Sequence, residues 1–289
     1  RDRSPSRGLG DVYKRQNWRF VYTPETPGRY LLKVRPVTED GEPSALVAGF
    51  AFEALPAGGT YGDARIRAVG GSFRDARIFR SRELSNLTGE EAAFLSGALG
   101  IATIYDLRTA AEVAAHPEPY IVGMRTVALE PSTEHRRKDS DKRLIAGVIE
   151  RYGEPEERMG ANYRRYVREY PLVGQALRSM AAEGRPALIH CVNGKDRTGV
   201  LCATLLRATG ADEDAIMEDY LRVNADHADL IAEEAAHLDG GMTDHERAIL
   251  LSFLEARPAY LRAYFDEIDR LYGSFAAYMR EGLHLTGEA

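Results

Sequence analysis

Residues 187–201 read ALIHCVNGKDRTGVL. Ala187, Leu188 and Ile189 make a short strand-like run, and Val200 and Leu201 belong to a helix-like one. Between them a polar turn holds His190, Cys191, Gly194, Lys195, Asp196, Arg197 and Thr198. A buried strand that passes so quickly into a helix aims successive backbone N–H groups at one point, at the positive end of that helix. The turn is therefore an anion site, and whatever else the chain does must be built around it.

The neighbouring sequence repeats the alternation. ARIFRS (76–81), IATIYDLR (101–108), RTVALE (125–130) and PALIHC (186–191) read as strands. LTGEEAAFLSGALG (87–100) reads as a helix, with Thr88 as N-cap, Glu91 three residues on and Gly100 at its end. Residues 142–152 and 161–183 read as helical, as does the chain after the turn. There Leu261, Tyr264, Phe265, Ile268, Leu271 and Tyr272 recur at helical spacing, with Gly273 as a stop. The expected fold class over residues 61–289 is α/β, a mostly parallel central sheet flanked by helices.

The N-terminal part has a different texture. Residues 1–16, RDRSPSRGLGDVYKRQ, show no initiator Met, no signal-peptide core and no apolar periodicity. They read as a non-native leader, similar to translated adaptor sequence, so the natural start of the chain is expected to be missing. NWRFVYTP, GRYLLKVRPV and SALVAGFAFEAL are strand-like runs separated by turn clusters. The PGRYLLKV wording resembles the closing strands of an immunoglobulin-like module. Such a module needs about seven strands, so residues 17–60 are expected to be a β-rich fragment or extension. PAGGTYGD (56–63) reads as a linker.

Composition excludes several functions. The 289 residues are 44% hydrophobic, enough for one sizeable core and a small companion domain. A net charge of −6 argues against nucleic acid or an anionic membrane as the main partner, though not against a local basic cleft. No apolar run approaches the roughly 18 to 20 residues that span a bilayer. Two cysteines, Cys191 and Cys202, cannot make a disulfide framework, and Cys202 reads as a buried small hydrophobe. His116, His135, His227, His237, His245 and His284 lack metal-ligand spacing, so no metal is expected. GKD is not the nucleotide-binding loop, because no Ser or Thr follows Lys195.

The turn itself suggests nucleophilic chemistry. The helix N-terminus and neighbouring His190 both favour a thiolate at Cys191. Arg197 lies one loop-width from Cys191, where its planar fork can hold two oxygens of a phosphate. A departing alkoxide or phenoxide needs a proton. Asp106 is the first candidate for that acid, because it ends its strand as Cys191 ends its own, and parallel strands bind ligands at that edge. The bland alternative is a carboxylate capping the next helix. Asp196 is the second candidate. Asp139 and Asp141 fall in EHRRKDSDKR, which reads as a solvated segment. Arg80 and Arg108 also lie near the edge, suited equally to substrate contact and to structural ion pairs.

HCVNGKDRTG resembles the Cys-x5-Arg phosphate loop of cysteine-dependent phosphatases. Its GKDRTG form is similar to the atypical bacterial tyrosine and phosphoinositide phosphatases, also called triple-specificity phosphatases. The resemblance extends from about Gly70 to Leu285 through IFRSREL, DLRTAAEV, DYLRVN and LYGSFAAYM. It implies a phosphocysteine at Cys191, with Arg197 and the amides of Val192, Asn193, Gly194, Lys195 and Asp196 around the phosphate. It also implies that Thr198 hydrogen-bonds the sulfur and helps it leave, and it favours the DLR position, Asp106, as acid. Lys195 either adds charge suited to phosphoinositides or pairs with Asp196 and its neighbours.

The expected function is therefore metal-independent and cofactor-free hydrolysis of phosphotyrosine proteins. Phosphoinositides come next, with transient contact at a membrane surface. The rival class is a phosphate-binding pseudoenzyme or adhesion module, against which Cys191, Arg197 and Asp106 together speak. An immunoglobulin-like fragment favours a periplasmic or secreted location, in tension with a thiol exposed to oxidation.

Overall fold

In the computed structural model, β1 (Gly28–Val34), within the strand-like run GRYLLKVRPV, and β2 (Ala48–Ala54), within SALVAGFAFEAL, pair antiparallel, from Gly28 opposite Ala54 to Val34 opposite Ala48. The structure describes residues 28–35, 37, 41–42, 48–54, 59–71, 76–129, 155–169, 172–237 and 243–285. The hairpin belongs to a compact unit, Arg1–Ala54, and a second unit runs from Leu55 to Ala289. NWRFVYTP, the first strand-like run, lies outside the described residues, as do residues 142–152, Asp139 and Asp141.

The end of the predicted linker belongs to the second unit. Tyr61 pairs with Ile66 in an isolated bridge, and its ring stacks on Phe94 with centroids 3.8 Å apart. An aromatic ring gains more from such a contact than from water.

Five strands form the sheet of this unit: β3 (Arg67–Ala68), β4 (Ile78–Ser81), β5 (Thr103–Asp106), β6 (Arg125–Ala128) and β7 (Ala187–His190). Their order is β3-β4-β7-β5-β6, all parallel except β3 at one edge. The central strands are apolar on both faces, because helices cover both. Phe79, Ile104 and Leu188 face one core with Phe94, Leu95 and Ile101. Tyr105, Ala187 and Ile189 face the other, larger core.

The helices around the sheet are α1 (Gly89–Ala93), α2 (Ala110–Ala115), α3 (Pro155–Glu169), α4 (Leu172–Glu183) and α5 (Asp196–Ala208). They continue with α6 (Glu213–Asp226), α7 (Ala228–His237), α8 (Asp244–Leu254) and α9 (Pro258–Tyr272). Thr88 and Glu91 close the expected capping box at α1, which then widens into a π-type turn over Phe94–Ala98. The single helical run expected over 161–183 is instead two helices, α3 starting earlier at Pro155 and α4 following Pro171. A proline disfavours helical backbone in the residue before it. α9 stops at Gly273 with φ 74°, as the spacing predicts, and it begins with Pro258, whose fixed φ suits a first helical turn.

Register sets the working edge. Ser81 and Asp106 are both opposite His190, so β4, β7 and β5 end level. The residue after His190 is Cys191.

Candidate active site

β7 delivers Cys191 to the sheet edge, and α5 begins at Asp196. The loop between them must pass very close to β4. Gly194 has φ 61°, and a Cβ there would sit 2.3 Å from the Ser81 carbonyl oxygen. Only glycine fits that backbone and that gap. Glu83 N–H donates to the Val192 carbonyl at 3.0 Å, tying the same loop to the chain beyond β4.

Buried charges hold the loop from below. Arg80 donates to the Gly194 carbonyl at 2.7 Å and to Asp219 Oδ2 at 2.8 Å. Arg67 donates to Asp219 Oδ1 and lies 2.7 Å from Asp226 Oδ2. Burial pushes the Asp219 carboxyl up, but the charges of Arg80 and Arg67 outweigh it and hold the group below its ordinary value. Arg80 is thus a structural ion-pair residue that braces the loop.

Arg197 is 7% exposed and forks onto Glu112, at 2.7 Å and 2.8 Å, while also donating to the Leu107 carbonyl at 2.9 Å. Glu112 serves α2 as well. Its Oε2 accepts from Thr109 N–H at 2.8 Å, half of a capping box. Burial pushes Glu112 up, yet the hydrogen bonds and charge of Arg197 keep its carboxyl below the ordinary range. The guanidinium is therefore aimed by an ionised partner before any phosphate arrives.

Asp106, the first candidate for the acid, is tied into an ion pair at the end of its strand. It is 3% exposed and receives Arg108 Nε at 3.0 Å, Arg108 Nη2 at 2.9 Å and the Arg108 backbone N–H at 2.9 Å. Burial alone would raise its pKa. The Arg108 hydrogen bonds and the charge of His190 reverse this, leaving it below the ordinary value. Asp106 does not cap α2, since Thr109 does. Arg108 also reaches Glu118 at 2.9 Å, so a structural ion pair is its role. Ligand atoms of Asp106, Glu118 and His190 converge within 4.8 Å of one another, but the Arg108 guanidinium already supplies the cation between the two carboxylates.

The remaining candidates divide. Asp196 is 27% exposed at the first turn of α5, and its Oδ1 accepts from Tyr163 Oη at 2.8 Å. Lys195 turns inward, 1% exposed. It donates to the carbonyls of Phe253 and Glu255 at the C-terminal end of α8 and lies 3.7 Å from Asp196 Oδ1. A cation at that helix end is favourable, and the pairing alternative for Lys195 is the one observed. The fully buried His190 ring meets the Cys191 carbonyl through Nδ1 at 3.3 Å, not the sulfur. Its Nε2 lies 3.1 Å from Glu118 Oε1, within ion-pair reach but outside hydrogen-bond geometry. Thr198 is fully buried with its hydroxyl unbonded, so the expected bond to sulfur is not formed in this structure. Cys202 is buried, and burial pushes its thiol up to about 11, which suits an inert core residue.

Glu112, Glu118, Asp219 and Tyr163 escaped the sequence. Only Glu112 left a local signal, the Thr-x-x-Glu spacing of a cap, and that signal speaks of a helix start rather than of Arg197.

The chain is similar in sequence to known proteins. A sequence model described as "Tyrosine phosphatase family" matches residues 61–289. The triple specificity protein phosphatase PtpB of Mycobacterium tuberculosis is 32% identical over 240 residues, covering 73% of this chain and 87% of its own. Among solved structures, Pseudomonas aeruginosa TpbA matches with 20% identity and a TM-score of 0.33, covering 68% of this chain and 98% of that one. The catalytic core of the Saccharomyces cerevisiae phosphatase SIW14 matches with 16% identity and a TM-score of 0.30, covering 70% of this chain and 92% of that one.

Proposed function

This chain belongs to the tyrosine phosphatase family, and we propose that it hydrolyses phosphotyrosine esters in proteins through a phosphocysteine at Cys191. The observation that carries the reading is the pre-aimed Arg197, held by Glu112 in the turn that also presents Cys191. A cradle fixed in advance pays no reorganisation cost as the phosphoryl group transfers.

The chemistry runs in two steps. Cys191 sulfur attacks phosphorus while the ester P–O bond breaks. Arg197 and the loop amides from Val192 to Asp196 take the equatorial oxygens. Asp196 protonates the departing phenoxide, because it is the loop carboxylate that is partly exposed and joined to no arginine by the contacts above. Asp106, neutralised by Arg108, is assigned to holding the sheet edge. Water then attacks the phosphocysteine, and the buried Thr198 hydroxyl is available to the departing sulfur.

A second substrate class, phosphoinositides, is supported by the triple specificity for which the Mycobacterium relative is named. Lys195 does not support it, since its ammonium is committed to α8 and Asp196.

The test is hydrolysis of para-nitrophenyl phosphate in EDTA. Wild type is expected to keep full activity in the chelator, and Cys191→Ser to fall to background. Undiminished turnover by Cys191→Ser would remove the phosphocysteine from the mechanism.

A further inference from the structure

Asp196 is anchored by a buried phenol. Tyr163, fully buried on α3, donates to its Oδ1 at 2.8 Å, and the Tyr163 oxygen lies 2.7 Å from the hydroxyl of Tyr220 on α6. A phenol carries one hydrogen. Tyr163 gives that hydrogen to Asp196, so the hydrogen between the two phenols comes from Tyr220. The chain therefore runs one way, from Tyr220 through Tyr163 to Asp196. Burial holds both phenols well above their ordinary range, so both remain donors throughout any assay. Packing fixes the donor ring, whose centroid lies 5.5 Å from Tyr166, 6.2 Å from Tyr220 and 5.8 Å from Tyr260.

The titratable groups around Asp196 come from four elements. Tyr163 and Tyr166 face it from α3, Tyr220 from α6 and Tyr260 from α9. From its own loop, Lys195 lies 3.7 Å from the same Oδ1. One hydrogen-bond donor and one cation thus meet at a single carboxylate oxygen.

We propose that Tyr163 is the positioning residue of the proton donor, occupying Oδ1 so that the transferable proton resides on Oδ2. This rests on the assignment of Asp196 as the acid. In the first step the Oδ2–H bond breaks and its proton passes to the ester oxygen, as the P–O bond breaks and the S–P bond forms. The negative charge left behind meets the Tyr163 hydroxyl and the Lys195 ammonium at Oδ1. In the second step a water gives its proton to Oδ2 while its oxygen bonds to phosphorus and the S–P bond breaks. One oxygen anchors and the other exchanges protons.

The experiment compares kcat/KM from about pH 5 to about pH 9 for wild type, Asp196→Asn, Tyr163→Phe and Tyr220→Phe. Each is assayed with phenyl phosphate, a poor leaving group, and with 2,4-dinitrophenyl phosphate, a good one. Asp196→Asn is expected to lose about 10²-fold or more on phenyl phosphate and far less on the dinitrophenyl ester. Tyr163→Phe should lose about tenfold on phenyl phosphate and little on the other ester. Tyr220→Phe should show the same dependence on the leaving group with a smaller loss, and it carries the reading alone if Tyr163→Phe does not fold. Equal losses by Asp196→Asn on both esters would remove the acid assignment itself. A leaving-group effect in Asp196→Asn with none in either phenylalanine variant would overturn only the role of Tyr163. A merely structural tyrosine would slow both esters alike.

Discussion

Glu112 shows how one carboxylate can serve two elements. It accepts from Thr109 at the start of α2 and grips Arg197 through both oxygens. Glutamine also satisfies a capping box, so Glu112→Gln separates the two duties. A charge-assisted hydrogen bond is worth roughly 1.5 to 3 kcal/mol. The variant is expected to keep its helix cap but to lose about 10- to 100-fold in kcat/KM and to melt below wild type, because the nearly buried Arg197 loses its counter-charge. Unchanged turnover would mean that Arg197 keeps its aim without the ion pair. At this scale the sequence was only partly legible. Cys191 and Arg197 announce themselves through their spacing, because nucleophile and cradle share one turn. Arg197 and Glu112 are 85 residues apart, and Tyr163 and Asp196 are 33 apart, distances across which a chain does not display its pairings. Asp106 is ambiguous for a related reason. A carboxylate at a sheet edge suits an acid or an ion pair equally, and nothing in the letters DLR shows that Arg108 folds back onto it.

The element that decides the site is the turn between β7 and α5, and its narrowest point is Gly194. The residue combines φ 61° with a Cβ position 2.3 Å from backbone oxygen. Backbone yields less readily than a flexible side-chain tip, so Gly194→Ala must displace either the loop or β4. The expected result is loss of most activity together with a cost of about 1 to 3 kcal/mol, the usual range for a strained position. Thermal denaturation and para-nitrophenyl phosphate turnover check both, and a fully active, equally stable alanine variant would refute the close approach. β4, β5 and β7 could be read from sequence because strands covered on both faces are short continuous apolar runs. The Phe94–Ala98 π-type turn could not, since the same leucine and phenylalanine spacing suits an ordinary helix. PAGGTYGD reads as linker along its whole length because turn formers dominate it. Only the partner ring, Phe94, reveals that Tyr61 is part of the second unit.

Across the second unit, three carboxylates near the working edge are held below their ordinary range: Asp106, Glu112 and Asp219. Unfolded aspartate takes up its proton near pH 3.9. A lowered folded value means that each contributes stability fully above that pH, and that the contribution disappears as pH falls toward the folded value. The melting temperature is therefore expected to hold from neutrality to about pH 5 and to drop steeply below about pH 4. Asp219→Asn should flatten that drop, starting roughly 3 to 5 kcal/mol less stable at neutral pH because Arg67 and Arg80 lose their partner in the interior. A drop as steep as wild type would place the acid sensitivity elsewhere. The α/β class was legible at this scale from the alternation alone. The buried Arg67–Asp219–Arg80 brace was not, being assembled from β3, β4 and α6. The grip of Glu112 on Arg197 also bears on how cellular targets should be captured. A bait carrying Cys191→Ser gives up one sulfur and leaves every ion pair of the site in place. A bait altered at Arg197 strips Glu112 of its counter-charge and loosens the first turn of α2, so an empty catch could reflect a damaged fold. Fishing for targets in a cell extract belongs to the serine bait.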